Sequence, residues 1–188
     1  MAEDLLPEQR RALDYLKRKG TQASIEVLRE QTREAFASIE RSFAGVAAHE
    51  RLLAPAGGKW SPHETLDHLV LSHGPAVSQL ASLLEGVSPG DLAIPADLHR
   101  APHERPEWDV SLSHLAAIHQ ELLALLDAAS GEHSLEATAV VEMVVKIGSE
   151  RRCWLERLDW KAFLQGIRVH TLEHENQLRK TLEIMRAG

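Results

Sequence analysis

The stretch Lys161–Arg186, KAFLQGIRVHTLEHENQLRKTLEIMR, decides the fold. Phe163, Leu164, Ile167, Leu178, Leu182 and Met185 recur at steps of three and four, the period of a helix that buries one face. His170 and His174 fall inside the same stripe, four residues apart, so one ring lies a turn above the other on the buried side. Neutral imidazoles on an inward seam need hydrogen-bond partners or a divalent cation. Which of these they have decides what the sequence says about function.

Working outward, a short helix is expected over about Pro7–Arg18. Gly20 would close it in the left-handed conformation, leaving residues 1–20 as an N-terminal extension. Ile25, Leu28, Ala35, Ile39, Phe43 and Val46 then mark an amphipathic helix to about Ala48. The letters SPHE, Ser61–Glu64, read as a helix start: a serine cap, proline at the first helical position and a glutamate three residues on to complete a capping box. That helix should reach about Leu84, with Pro75 able to bend it. Residues 86–108 are proline-rich and without period, a long surface connection of the kind that is more often functional than accidental. Another helix is expected over about Val110–Ala128. Residues 138–158 change period: Val141, Met143, Val145 and Ile147 alternate with Glu142, Val144 and Lys146, and Gly148-Ser149 suits a two-residue hairpin turn. The expectation is one domain over residues 1–188, mainly α: a four-helix bundle with a small β-hairpin inserted before the last helix.

Composition narrows the function classes. The 188 residues suffice for a core without staples, and the single cysteine, Cys153, permits no internal disulfide. There is no signal-peptide pattern and no apolar run long enough to cross a bilayer, so a cytoplasmic protein is expected. The net charge of −7, with no basic block, argues for a small-molecule substrate and against nucleic acid or membrane as a partner. Cys153 follows two arginines that would favour a thiolate, but no histidine is near it in sequence and strand alternation would leave it half buried, which weighs against a catalytic role. Trp60, Trp108, Trp154 and Trp160 sit at element boundaries and read as packing, with Trp60 also placed to wall a site.

His170-Thr171-Leu172-Glu173-His174 also fits the inverted zinc-protease pattern H-x-x-E-H, but a five-residue match with two free positions is weak. Glu173 lies at the edge of the inward stripe and reads as a flanking carboxylate. A third ligand must come from another helix, from among His63, His68, His73, His114 and His119. Periodicity alone favours His73, which shares the stripe of Leu66, Val70, Val77, Leu80 and Leu84. His68 is nearly opposite on an ideal helix, although Pro75 disturbs the phase. Spacing leaves the choice open.

KWSPHETLDHL, followed about a hundred residues later by VHTLEHENQL, resembles the DinB/YfiT-like superfamily of metal-dependent bundles. The shared features are a Trp-Ser helix start (Trp60, Ser61), a histidine eight residues on (His68) and an H-x-x-x-H pair on the final helix (His170, His174). Where members often carry an acidic residue shortly after the first histidine, this chain has Ser72 and His73. The resemblance implies a four-helix bundle with a divalent ion on His68, His170 and His174. It also implies transfer of low-molecular-weight thiols to electrophilic small molecules, as in bacillithiol transferases and a mycothiol-dependent isomerase, and leans toward a homodimer. Zinc or nickel is the expected ion, with iron or copper also suited to imidazole. Glu64 and Gln177 are the candidates, beside Glu173, for orienting ligands or substrate. The alternatives are a metal- or ligand-binding bundle without turnover and a metal-dependent hydrolase.

Overall fold

The protein is described by a computed structural model over residues 5–148 and 150–187. α1 (Pro7–Leu16) runs directly into a π-helical turn, Lys17–Thr21. α2 (Ile25–Ala44) starts at Ser24, whose hydroxyl accepts from the Val27 amide and satisfies one of the helix's orphan donors. α3 (Pro62–Leu84) opens on the expected capping box: the Ser61 hydroxyl accepts from the Glu64 N–H, and the Glu64 carboxylate accepts from the Ser61 N–H. Pro75 lies inside α3 without ending it. α4 (Trp108–Ala128), β1 (Ala139–Ile147), β2 (Glu150–Leu158) and α5 (Trp160–Ala187) complete the chain. The fold is mainly α, with a two-stranded antiparallel hairpin before the last helix.

The hairpin pairs Ala139 with Leu158 and Ile147 with Glu150. Gly148 takes a positive φ at the turn, whereas Ser149, the second residue of the expected turn, lies outside the described residues. Only the hairpin's base is buried, at Ala139, Val140 and Leu158, so the helices support its root while its other end projects.

α2 and α3 do not need each other as neighbours: each packs against both α4 and α5, which closes the four helices into a ring. Two apolar clusters fill it. One gathers Leu28, Phe36, Leu80, Leu122, Trp160 and Phe163, and the other Ile39, Phe43, Leu66, Leu69, Leu115 and Leu178. Along α3, α4 and α5 the histidines fall between the residues of the two clusters, with His73 between Leu69 and Ala76, His119 between Leu115 and Leu122, and His170 between Ile167 and Leu178.

Two expectations change. Gly20 is not left-handed: it belongs to the π turn, buried where its α-carbon meets the backbone of α5. A Cβ there would stand 2.7 Å from both the Ala162 Cα and the Lys161 carbonyl oxygen, so close approach, not helix termination, is what this glycine provides. α3, expected to bury one stripe, is buried almost all round over its first half, Asp67, His68 and His73 included. The reason is the 86–108 connection, which lies against the other side. The Ala96 N–H donates to Glu142 of β1, the Leu98 carbonyl accepts from His68, Arg100 pairs with Asp67, and Arg105 pairs with Glu64. No helix among the described residues is long and apolar enough to cross a membrane.

The far end of α5 is tied down by Arg186, which donates from Nε and Nη2 to the two carboxylate oxygens of Glu50, at 2.6 and 2.9 Å, while the Ala47 N–H donates to the same group. Arg186, helped by that amide, holds the Glu50 carboxyl down to about 2 from an ordinary 4.5. A carboxylate whose folded pKa is depressed contributes stability above its unfolded pKa and loses it as pH falls through the folded one. The melting-temperature gap between the natural protein and Arg186→Met is therefore expected to be full above pH 4.5 and to close between there and pH 2. A gap that does not change with pH would contradict the pairing.

Candidate metal centre

His68 reaches the centre of the bundle from α3, and His170 and His174 reach it from α5. The His170 Nε2 stands 3.0 Å from the Nε2 of His68 and 3.0 Å from that of His174. Ligands about 2.0–2.1 Å from a shared ion, at ordinary coordination angles, are themselves about 3 Å apart. Two of the three nitrogen pairs therefore have the spacing of donors to one cation, and all three donor atoms lie within 4.8 Å of one another.

The protons support the same fit. The Leu98 carbonyl, 2.7 Å from His68 Nδ1, can only accept, so His68 carries its proton on Nδ1 and presents a bare lone pair at Nε2. His170 Nε2 is equally close to two rings, and one proton can bridge only one of those contacts. A cation satisfies all three. Burial holds each ring neutral, the form that donates to a metal. It lowers the pKa of His68, and it pushes His170 well below the ordinary range with help from His174 and His68. His174 is driven to about 3, by burial and then by His68, with Gln177 pulling the other way. Gln177 affects that ring without a hydrogen bond in good geometry, since the His174 Nδ1 is buried with no partner.

Trp60 forms one wall. Its ring stacks parallel to His174, with centroids 5.8 Å apart, and tilts against His68 at 4.8 Å. Among the other histidines considered as third ligand, His63 donates to the Pro106 carbonyl, His114 is exposed, and His119 faces Glu40. His73, the choice of periodicity, is buried but turns its ring between His170 Nδ1 and His119. Glu64 spends its carboxylate on the Ser61 amide and Arg105. Glu173 is exposed and stands outside the cluster, as does Cys153, exposed on β2 opposite Val144. No single residue type announced the contact of His119 with Glu40 on α2. The one available signal was a histidine at a stripe position on α4.

Facing helices that converge three histidines define a helical bundle with a candidate metal site. The chain belongs to the DinB superfamily, which matches residues 26–142, more than half of the chain. That match carries His68 but stops before α5. A solved structure with the same fold is the colibactin self-resistance protein ClbS in complex with double-stranded DNA. It is 13% identical, with a TM-score of 0.59, over 85% of this chain and 95% of that one. No curated protein matches the sequence. ClbS corrects one expectation: a protein of this fold accommodates duplex DNA, so net acidity and the lack of a basic block do not exclude a nucleic-acid partner.

Proposed function

We propose that the protein is a divalent-metal-dependent enzyme that transfers a low-molecular-weight thiol to electrophilic small molecules, with the ion on His68, His170 and His174. The observation that carries this reading is the trio of Nε2 atoms meeting at His170, one of them held as a lone pair by the Leu98 carbonyl. No carboxylate or cysteine among the described residues joins the cluster, which leaves coordination room for a substrate. When bound, the ion supplies the Lewis acidity that takes the proton from a coordinating thiol. Zinc or nickel is the first choice, and iron or copper also suits imidazole.

The chain's own residues do the rest. Trp60 covers one side of the imidazoles and limits water there. The strap at Leu98–Arg105 is pinned by the Arg100–Asp67 and Arg105–Glu64 pairs, so Glu64 acts on the site through the strap. Gln177, a turn beyond His174, is assigned to orienting that ring or the substrate.

The test adds a divalent ion to metal-free protein and follows conjugation of several thiols, not glutathione alone, with a haloarene or epoxide. Acceleration that needs both ion and thiol is expected, and His68→Ala should remove it. Ester turnover without thiol, inhibited when thiol is added, would instead identify a hydrolase. Neither activity, with the ion fully bound, would leave a binding bundle.

The likeness to ClbS brings a second reading, binding of duplex DNA. The hairpin offers it one pair of cations, Lys146 across from Arg151, since the adjacent Arg152 is paired with Glu150. Salt-dependent anisotropy of a labelled duplex, lost in Lys146→Glu/Arg151→Glu, would support that partner, and no binding at low salt would reject it.

A further inference from the structure

The two sides of His170 are not alike. Its Nε2 faces the other two site histidines, while its Nδ1 lies 3.2 Å from the His73 Nε2. The His73 Nδ1 is in turn 3.3 Å from the His119 Nε2, and the His119 Nδ1 is 2.6 Å from an oxygen of Glu40. One line of contacts thus crosses α5, α3, α4 and α2, through the polar layer between the two apolar clusters. Phe36 stacks on His119 with centroids 3.8 Å apart and planes 3° from parallel, fixing that ring's orientation.

The line has a direction. A carboxylate only accepts, so the His119 proton sits on Nδ1 and its Nε2 is bare. A bare Nε2 on His119 requires the proton on His73 Nδ1, which leaves His73 Nε2 bare. That in turn requires the proton on His170 Nδ1 and leaves His170 Nε2 as a lone pair facing the site. In the reverse direction, His170 would aim an N–H at the ion's position, and a bare His119 Nδ1 would face the carboxylate.

We propose that Glu40, His119 and His73 are positioning residues for metal binding, a one-way hydrogen-bond line that starts at a carboxylate on α2 and keeps the His170 Nε2 lone pair free for a divalent cation. This deepens the metal-site reading and rests on it. A hydrogen-bond acceptor behind a ligating histidine fixes the ring's tautomer and raises its donor strength, and its loss commonly costs about 10–100-fold in affinity; here that acceptor is His73, whose own tautomer the line sets.

Glu40 suits a test because its side chain is 34% exposed, so replacing it opens no core cavity. Glu40→Gln keeps an acceptor, whereas Glu40→Lys supplies only donors and should reverse the line. Two measurements are needed: zinc affinity by chelator competition, and the histidine tautomers of the metal-free protein by 15N NMR. Glu40→Gln is expected to bind zinc within a few-fold of the natural protein, with the His170 proton still on Nδ1. Glu40→Lys should bind at least about tenfold more weakly, with that proton moved to Nε2. A loss of affinity with unchanged tautomers would be through-space repulsion and would overturn the proposal, as would equal behaviour of the two variants. Should Glu40→Lys fail to fold, His119→Phe, which keeps the stack on Phe36 and removes both ring nitrogens, must weaken zinc by a similar factor. Unchanged affinity there overturns it equally. If the natural protein itself binds no divalent ion, the metal reading fails, and the tautomers of the metal-free protein still judge the line.

Discussion

Purified His170→Ala protein is expected to carry only background metal, where the natural chain carries close to one divalent ion. In the proposed site His170 is the middle residue: its Nε2 is the atom from which the other two stand at 3.0 Å. Without it, one nitrogen on α3 and one on α5 remain, with no third donor among the described residues to replace it. Groups one shell further out are typically worth about 10–100-fold in affinity, so loss of a ligand should cost on the order of 100-fold or more. The fold should be kept, since alanine suits a helix and the apolar clusters on either side of His170 remain. Far-ultraviolet circular dichroism checks that point. His174→Ala and His68→Ala should behave alike. His114→Ala, at an exposed position, and His133→Ala, whose ring meets the edge of Trp160, should keep full metal. Elemental analysis decides it, and full occupancy in His170→Ala removes the site as drawn.

Gly20→Val is expected to give the largest loss of stability of any single surface-neutral change in the N-terminal segment. The atoms a Cβ would meet are backbone, at 2.7 Å, and cannot rotate away. The π turn must therefore lift off the first turn of α5, where Ala162 and Trp160 are buried. Overpacking of this kind costs about 1–3 kcal/mol, and a β-branched side chain belongs at the upper end. In a chain of this size each kcal/mol moves the melting temperature by about 2–4 °C, so a fall of about 5–10 °C is expected. Gly20→Ala should fall in between. The exposed, positive-φ Gly57, which a Cβ would leave in open space, is the contrast: its replacement should cost backbone strain alone. An unchanged melting temperature for Gly20→Val would show that α1 and the π turn do not pack on α5 as described.

The helices were legible because their signals are local. The Ser61–Glu64 capping box and the α5 stripe need only nearest turns to take effect, and the alternation from Val141 to Ile147 is a strand pattern by itself. Gly20 was misread because a glycine's sequence context does not distinguish a positive φ from a close approach, and the partner backbone lies some 140 residues away in α5. His68 against His73 was undecidable from period because α3 has no solvent face near its start. The proline-rich connection covers the side that an ideal helix would leave wet, and nothing in residues 86–108 says where they lie. The contact between Glu40 and His119, the latter considered only as a possible third ligand, escaped notice for a related reason. Each is an unremarkable polar residue on its own helix, and only the pairing of α2 with α4 makes them neighbours.

X-ray absorption at the metal edge of the natural protein, loaded with one equivalent of zinc, is the direct measurement. Three imidazole nitrogens at about 2.0–2.1 Å, with the remaining coordination from light atoms of solvent, are the expected first shell. The imidazole signal should fall by one ring in His68→Ala wherever zinc can still be held. A shell of oxygens without imidazole, or a zinc that exchanges off the protein on desalting, would contradict a metal centre on His68, His170 and His174.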